Sequence, residues 1–412
     1  MSRFNPVGVE TLPSESSLVT GRPLSCYRPL MARARLEWRI DDGGDPAQLL
    51  EDFLAANGLP VRDIGGIGGA HPTGELCGAS VFVSAAAGAR MIGGPIGAAS
   101  PAPAVPDVVA VVHAHGAQAA PRTARPWHLG AWRESWTPAA HADAVRRVRA
   151  AIARGDVYQV NLVGHASAPY TGDPLPALHR LAGLPGARYA GVLAGTGWAI
   201  GCASPETLVA VTRGRVVTRP IKGTRPATAT GRHELLTSAK ERAEHIMIVD
   251  LERNDLARLA RTGSVRVDEL FAIRRWCDLW QAESVVSAAP APGVGLADLL
   301  RAVCPGGSVT GAPKQAALAE IAALEPVGRG ASMGALGWVG PDRIDLGLTI
   351  RTAAIDAHRV HLWAGGGITW GSDPDAEVAE AAAKAAPLRH ALSPTPRTAS
   401  AARHGAPRSA AE

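Results

Sequence analysis

Apolar residues recur along this 412-residue chain at two periods, and the changes between them mark out its elements. Ala142, Val145, Val148 and Ile152 fall at helical spacing after Pro138, and Gly155 stands where such a helix would end. VYQVNLVGHASA (157–168) then alternates as a half-buried strand does. WAIGCASPETLVAVTRGRVVTRP (198–220) reads as two or three strands, with a glycine turn between Arg213 and Arg215. A long helix is expected from about Arg232 to Arg261, stopped by Gly263. Before residue 120 the pattern is irregular, broken by glycine and proline at 65–69, 93–95 and 101–106, and only VVAVVHAH (108–115) reads as a buried strand. Residues 117–126 read as a linker, and 393–412, rich in Ala, Ser, Pro and Arg, as a disordered tail. This divides the chain into an abbreviated N-terminal region (1–120) packing on the core, a core (121–392) and the tail (393–412). Runs of strands without regular strand–helix alternation predict an α+β fold rather than a doubly wound sheet.

Composition narrows the possible classes. A hydrophobic content of 46% supplies a sizeable core. The net charge of +5 is dispersed, with mild clusters at Arg146, Arg147 and Arg149 and at Arg274 and Arg275, so no basic stripe suits a nucleic acid. The five cysteines are odd in number and contain no CxxC pair. Neither a zinc knuckle nor a disulfide framework is expected, and most should be small buried groups in a reducing compartment. The N-terminus MSRFNPVGVE lacks an apolar segment and no run approaches 18 apolar residues, which predicts a cytoplasmic protein that does not contact the membrane.

Only four of the 42 Lys and Arg residues are lysine, namely Lys222, Lys240, Lys314 and Lys384, leaving 38 arginines. Arginine stays protonated, whereas an ammonium can lose its proton and act as a nucleophile. Lys222, in PIKGT, follows a strand-like run between Ile221 and Gly223, where desolvation would free its amine. Glu206, in SPE, lies sixteen residues earlier; if their strands are neighbours, a carboxyl able to protonate a leaving hydroxyl shares a pocket with that amine. Taken alone, each reads more simply as a solvated strand-end or turn residue. Glu244 on the long helix, with Glu377 and Glu380 spaced i,i+3 on a second helix, forms an all-oxygen donor set suited to Mg²⁺. PGGSVTGAPK (305–314) fails the P-loop pattern, because Ala312 and Pro313 separate Gly311 from Lys314. It still reads as a Gly-rich turn opening a helix whose N-terminus favours an anion. AGGGITWGSDP (364–374) reads as a second such turn, and Arg351 in TIRT offers a bidentate clamp for a carboxylate. Together these describe a pocket for a small polyanionic substrate.

Taken in order, VYQVNL, ASPE, PIKGTRP, SAKERAEHIMIVDLERNDLAR, GSVRVDELF, PGGSVTGAPK, IRT, AGGG and EVAEAAAK resemble the chorismate-utilising enzymes, a family that includes anthranilate, aminodeoxychorismate, isochorismate and salicylate synthases. The resemblance spans roughly residues 132–388. It implies large antiparallel β-sheets packed as a sandwich with helices outside, as in anthranilate synthase component I. The water-using members carry a lysine base where this chain has Gln159, so water activation is disfavoured. Anthranilate-forming members have PIAGT, whereas PIKGT with Lys222 is the pattern of the aminodeoxychorismate-forming members. The resemblance therefore implies that Lys222 attacks C2 of chorismate while Glu206 protonates the departing C4 hydroxyl. Ammonia would then attack C4 and expel the lysine, giving 4-amino-4-deoxychorismate for 4-aminobenzoate or folate synthesis. It further implies Mg²⁺ held by Glu244 and Glu380, with Glu377 nearby. Arg351 would clamp the pyruvyl carboxylate, and Gln159, Thr224, Thr310, Gly365, Gly366, Gly367 and Lys384 would complete the substrate site. Lys240 and Lys314 are expected to be structural.

Departures from the family pattern are equally specific. Its usual histidine is Gln281 in WQAES, its tyrosine after RG is Ser332, and its Asn after AE is His245. The tryptophan-feedback motif LLES has only a poor counterpart in LPSESS (12–17), so no tryptophan inhibition is expected. Cys77, in GELCGAS, lacks a glutaminase nucleophile elbow, which implies a separate glutamine amidotransferase subunit as the ammonia source. The other readings are an anthranilate synthase component and, more distantly, an anion-binding scaffold.

Overall fold

The computed structural model describes residues 30–68, 76–115 and 125–394. Two antiparallel sheets form its frame. The ten-stranded sheet runs in the order Leu30–Trp38, Val108–His115, Leu76–Val83, Ala335–Val339, Ile344–Leu348, Thr207–Thr212, Arg215–Arg219, Leu279–Ala288 and Ile221–Pro226, with Arg266–Trp276 also paired to Leu279–Ala288. The eight-stranded sheet runs Gly311–Ala312, Gln159–Thr171, Arg359–Ile368, Thr352–Ile355, Trp198–Ser204 and Tyr189–Gly195, with His128–Leu129 and Arg133–Glu134 paired to Gln159–Thr171. This is the expected α+β sandwich. One apolar core joins the sheets: Val163, Leu193, Ile200 and Ala354 of the smaller sheet pack with Phe82, Val209, Val216 and Leu346 of the larger. Interdigitation of inward-facing side chains is what holds two sheets face to face. Helices cover the outer faces, Leu175–Ala182 and Pro374–Leu392 against the smaller sheet and Pro46–Ala56 and Leu296–Val303 against the larger.

Several sequence expectations need correction. The region before residue 120 is not irregular where it is described: Leu30–Trp38 and Leu76–Val83 flank Val108–His115 in the large sheet. A helix at Pro46–Ala56 starts from the Asp45 cap, with Pro46 at its first position, a start signal present in the sequence. The long helix is two, Ala229–Thr237 and Ala239–Ala257, because Ser238 ends the first and caps the second by accepting from the Glu241 N–H. Gly365–Gly367 is not a turn but lies inside the strand Arg359–Ile368. Most of the expected linker at 117–126, the tail from 395, LPSESS, Cys26 and the Lys240 side chain lie outside the described residues. Of the other cysteines, Cys77, Cys202 and Cys304 are buried and Cys277 is half-buried, and none of the four is in a disulfide among the described residues. Among the described residues no helix is long and apolar enough to cross a membrane.

Candidate active site

The chain crosses from one sheet to the other at two adjacent points, and each crossing carries a charged residue into the sandwich. The strand Trp198–Ser204 belongs to the small sheet and Thr207–Thr212 to the large one, so Glu206 sits on the crossing between them. The return crossing, between Ile344–Leu348 and Thr352–Ile355, carries Arg351. Backbone bonds tie the crossings together: the Leu348 N–H donates to the Glu206 carbonyl and the Ala203 N–H to the Arg351 carbonyl, both at 3.1 Å. Arg351 adopts φ +53°, a left-handed conformation that costs an arginine energy and is held here by the two flanking strands. Its guanidinium stacks on Trp276, 4.5 Å from the ring centroid, and donates to the Lys384 carbonyl. Its Nε has no partner among the described residues. Burial pulls Arg351 down to about 10, so it remains a cation at neutral pH.

Glu206 and Lys222 do share a cavity, but not because their strands are neighbours. Lys222 lies on the edge strand Ile221–Pro226, separated from Thr207–Thr212 by two intervening strands. A bulge between Lys222 and Thr224 centres on Gly223 at φ +81°, where a Cβ would press on Leu235 and Glu241. The Lys222 Nζ donates to the Gly367 carbonyl and pairs with Glu244, each at 3.3 Å. Glu206 is 4% exposed; its Oε1 accepts from Ser308 Oγ at 2.7 Å and from the Ile221 N–H at 3.3 Å. Burial outweighs these bonds and pushes its carboxyl up to about 7, with Glu283 adding repulsion. The result is an acid able to give a proton at neutral pH in the same cavity as a primary amine.

Two helices complete the cavity, whose volume is about 130 Å³. Asp373 caps Pro374–Leu392, which presents Glu377, Glu380, Lys384 and Leu388 along one face. Ala239–Ala257 presents Glu241 and Glu244 at the same i,i+3 spacing. Lys384 Nζ pairs with Glu380 at 2.6 Å and donates to the Gly365 carbonyl, and this pairing holds the Glu380 carboxyl below its ordinary range. Burial, and then its neighbour Glu380, raise Glu377. A Cβ on Gly366 would lie 3.0 Å from Glu377 and 3.8 Å from Glu380, so bare backbone is what lets both carboxylates reach the cavity.

The expected residues are mostly brought together. Glu206, Lys222, Thr224, Glu244, Arg351, Gly365, Gly366, Gly367, Glu377, Glu380 and Lys384 all line the cavity. Gln159 stands just behind Gly367, with both amide atoms buried and unpartnered among the described residues. Thr310 does not face the cavity: its hydroxyl turns back to the Gly306 carbonyl, and Ser308 and Val309 form that wall instead. Lys314, half-buried, pairs with the buried Asp255 at 2.7 Å. Of the three departures, Gln281 lines the cavity. Ser332 donates to the Thr349 carbonyl, and His245 is buried against Ser284 and Phe271. Glu241, Ser308 and Asn161 also line it and went unread; Glu241 alone left a signal, standing three residues before Glu244 as Glu377 does before Glu380.

A buried bracket keeps the walls in place. Arg329 makes a two-point bond to Glu325 and donates to the Val309 and Asn161 carbonyls, while Glu325 accepts from the Val163 N–H. Arg329→Met should cost about 3–5 kcal/mol, because it strands a buried carboxylate. Denaturant unfolding checks this, and a loss below about 1 kcal/mol would mean the carboxylate finds solvent.

The cavity wall carries five glutamates against three cationic side chains; with Glu206 protonated and Glu241 paired to Arg225 at 3.0 Å, little net positive charge is left to receive a polyanion. A divalent cation would supply that charge, and the all-carboxylate donors are those a hard cation takes. The residues present therefore fit Mg²⁺ in kind. Among the described residues no three His, Cys, Asp or Glu side chains converge on one point, as lysines pair with Glu244 and Glu380.

Comparison with known proteins agrees with this architecture. Residues 99–390 match the family of chorismate binding enzymes. The chain is 37% identical over 302 residues to aminodeoxychorismate synthase component 1 of Salmonella typhimurium, covering 69% of this chain and 66% of that one. It is 39% identical over 257 residues to anthranilate synthase component 1 of Streptomyces coelicolor, covering 60% and 50%. The matched stretch thus spans less than two thirds of either relative. The crystal structure of anthranilate synthase component I from Streptococcus pneumoniae superposes with a TM-score of 0.72 at 24% identity, over 94% of this chain and 95% of that chain.

Proposed function

The chain belongs to the chorismate-binding enzymes, and from that premise we propose that it is the chorismate-aminating component of an aminodeoxychorismate synthase. One observation carries the reading: a primary amine, Lys222, shares a cavity with Glu206, a carboxyl pushed up to about 7. The Lys222 nitrogen adds to C2 of chorismate, both conjugated ring double bonds shift by one position toward C4, and the C4–O bond breaks. Glu206 gives its proton to the departing oxygen, which leaves as water. Ammonia then adds at C4, both ring double bonds shift back, and the C2–N bond breaks to restore the lysine amine. The Glu206 carboxylate takes the surplus proton from the added nitrogen, so atoms and charge balance. Arg351, with its free Nε, and Lys384 orient the substrate carboxylates. Glu244 and Glu380, with Glu377 beside them, would hold Mg²⁺, which when bound supplies charge to offset a substrate carboxylate.

The nitrogen source in this reading is a separate glutamine amidotransferase, in keeping with relatives named as component 1. A cytoplasmic enzyme of 4-aminobenzoate or folate synthesis fits such a product. The reading is tested by incubating the protein with chorismate, Mg²⁺ and ammonium and resolving products by mass. The expected product is 4-amino-4-deoxychorismate; anthranilate with free pyruvate would overturn the reading in favour of an anthranilate synthase component. Chelation of divalent cations should lower turnover at least about tenfold, with recovery on adding Mg²⁺. Turnover indifferent to chelation would sink the metal assignment.

A further inference from the structure

Three carboxyl groups of the cavity share two resident cations. Lys222 pairs with Glu244 Oε2 at 3.3 Å and Lys384 with Glu380 Oε1 at 2.6 Å. The other oxygen of Glu244 accepts from Thr369 Oγ1 at 2.6 Å. Burial and the neighbouring Glu380 raise Glu377, against the pull of both lysines. Without the two ammonium groups, these carboxylates would face one another in the cavity uncompensated, at the cost that any unpaired buried charge carries. Two ammonium groups bring the same charge as one divalent cation.

The backbone shows how the lysines can hold these places and also give them up. The strand Thr352–Ile355 pairs with Arg359–Ile368 only as far as Leu362, so beyond that point the longer strand has an edge with no strand partner among the described residues. Such an edge presents carbonyls that need donors. Two of them accept the lysines: Gly365 from Lys384 at 2.9 Å and Gly367 from Lys222 at 3.3 Å. Each lysine is therefore held at two points, a carboxylate and a carbonyl, and keeps the carbonyl when the carboxylate is taken. The strand is bare beneath them. A Cβ on Gly367 would lie 2.6 Å from Lys222 Nζ, and one on Gly366 3.6 Å from Lys384 Nζ.

Resting on the metal assignment made above, we propose that Lys222 and Lys384 are resident counter-ions of the metal site. They occupy Glu244 and Glu380 until a divalent cation takes those carboxylates, and the exchange turns the Lys222 nitrogen from its carboxylate toward the substrate. The exchange conserves charge and needs no proton transfer, so the carboxylates are compensated in both states. It also makes the cation and the nucleophile rivals for one residue, Glu244, which ties the release of the nucleophile to metal loading. The competing view is that both ion pairs are permanent parts of the wall.

The test uses the full chain, stripped of metal and without chorismate. Only four lysines occur in the sequence, so carbon-13 at the lysine ε-carbons gives four signals, assigned with Lys→Met variants. Mg²⁺ should shift the Lys222 and Lys384 signals along one saturation curve and leave that of Lys314, which pairs with Asp255, in place. Mn²⁺ affinity, read from the spin resonance of the free ion, should tighten at least about fivefold in Lys222→Met and in Lys384→Met, since a site blocked part of the time binds with an affinity reduced by its open fraction. Arg253→Met removes a charge that pairs with Asp250 on the helix carrying Glu244, and should change the affinity less than about twofold. The proposal is overturned if the Lys222 and Lys384 signals ignore Mg²⁺, or if the lysine variants bind Mn²⁺ no tighter than wild type. Equal tightening by Arg253→Met overturns it too, as a net-charge effect, and so does a protein that binds neither cation in any form. The wild-type spectra decide the matter even where a variant fails to fold. Because no chorismate is present, failure here leaves amination to the product assay, and failure of that assay leaves the exchange to these measurements.

Discussion

Lys222→Arg is expected to lower turnover with ammonium by on the order of 10⁴-fold or more, the scale seen when a covalent nucleophile is removed. The substitution keeps a positive charge and much of the side-chain volume, so the bond to the Gly367 carbonyl and the pairing with Glu244 can persist. A guanidinium cannot shed its proton to expose a lone pair, nor leave as a neutral amine, so the covalent route closes. The unfolding midpoint should change little, which separates lost chemistry from lost structure. Wild-type protein with chorismate and no ammonia should carry an adduct on Lys222 equal to chorismate less one water, and Lys222→Arg should carry none. Turnover by the arginine variant within tenfold of wild type would show that ammonia attacks without the lysine. Lys222 would then be a cationic anchor only.

The reason Lys222 was legible while its setting was not lies in the range of the interactions involved. A lysine in a chain that otherwise uses arginine, next to a glycine, is a local signal. The i,i+3 glutamates on Pro374–Leu392 are local too, because helical spacing fixes their common face. The meeting of Glu206 with Lys222 depends instead on a chain crossing between sheets, and the order of those strands is set by pairing across more than 100 residues, as when Thr207 pairs with Gly347. No local pattern announces that. The bracket of Arg329 and Glu325 was invisible for the same reason, since its targets Asn161 and Val309 are distant in sequence. Gly365–Gly367 misled because three glycines usually mark a turn. Here they keep a strand bare where Glu377, Lys384 and Lys222 crowd its face. Thr310 misled because its hydroxyl had a closer acceptor within its own turn.

Glu206→Gln is expected to lower turnover by about 10²–10⁴-fold, the usual worth of a positioned general acid. The amide can still accept from Ser308 and the Ile221 N–H, so the local fold should hold. The pH dependence follows from the carboxyl's position near 7. Only the protonated form can donate to the leaving oxygen, so wild-type kcat/KM should fall as pH rises through about 7. Stability should carry the same signature. Between the ordinary carboxyl value of 4.5 and the native value of about 7, the folded protein holds a proton the unfolded chain has released. Stability is therefore lost as pH rises through that window, and the full cost is present above it. Glu206→Gln removes a group that must ionise while buried, so its unfolding free energy should exceed that of wild type at pH 8, on the order of 3 kcal/mol. At pH 4, where both states are protonated, the two proteins should agree. Opposite trends in one variant, less active yet more stable above pH 7, are what a carboxyl kept protonated by burial for acid catalysis must give. Equal stability at both pH values would mean that Glu206 ionises freely and that the proton for the leaving group comes from elsewhere.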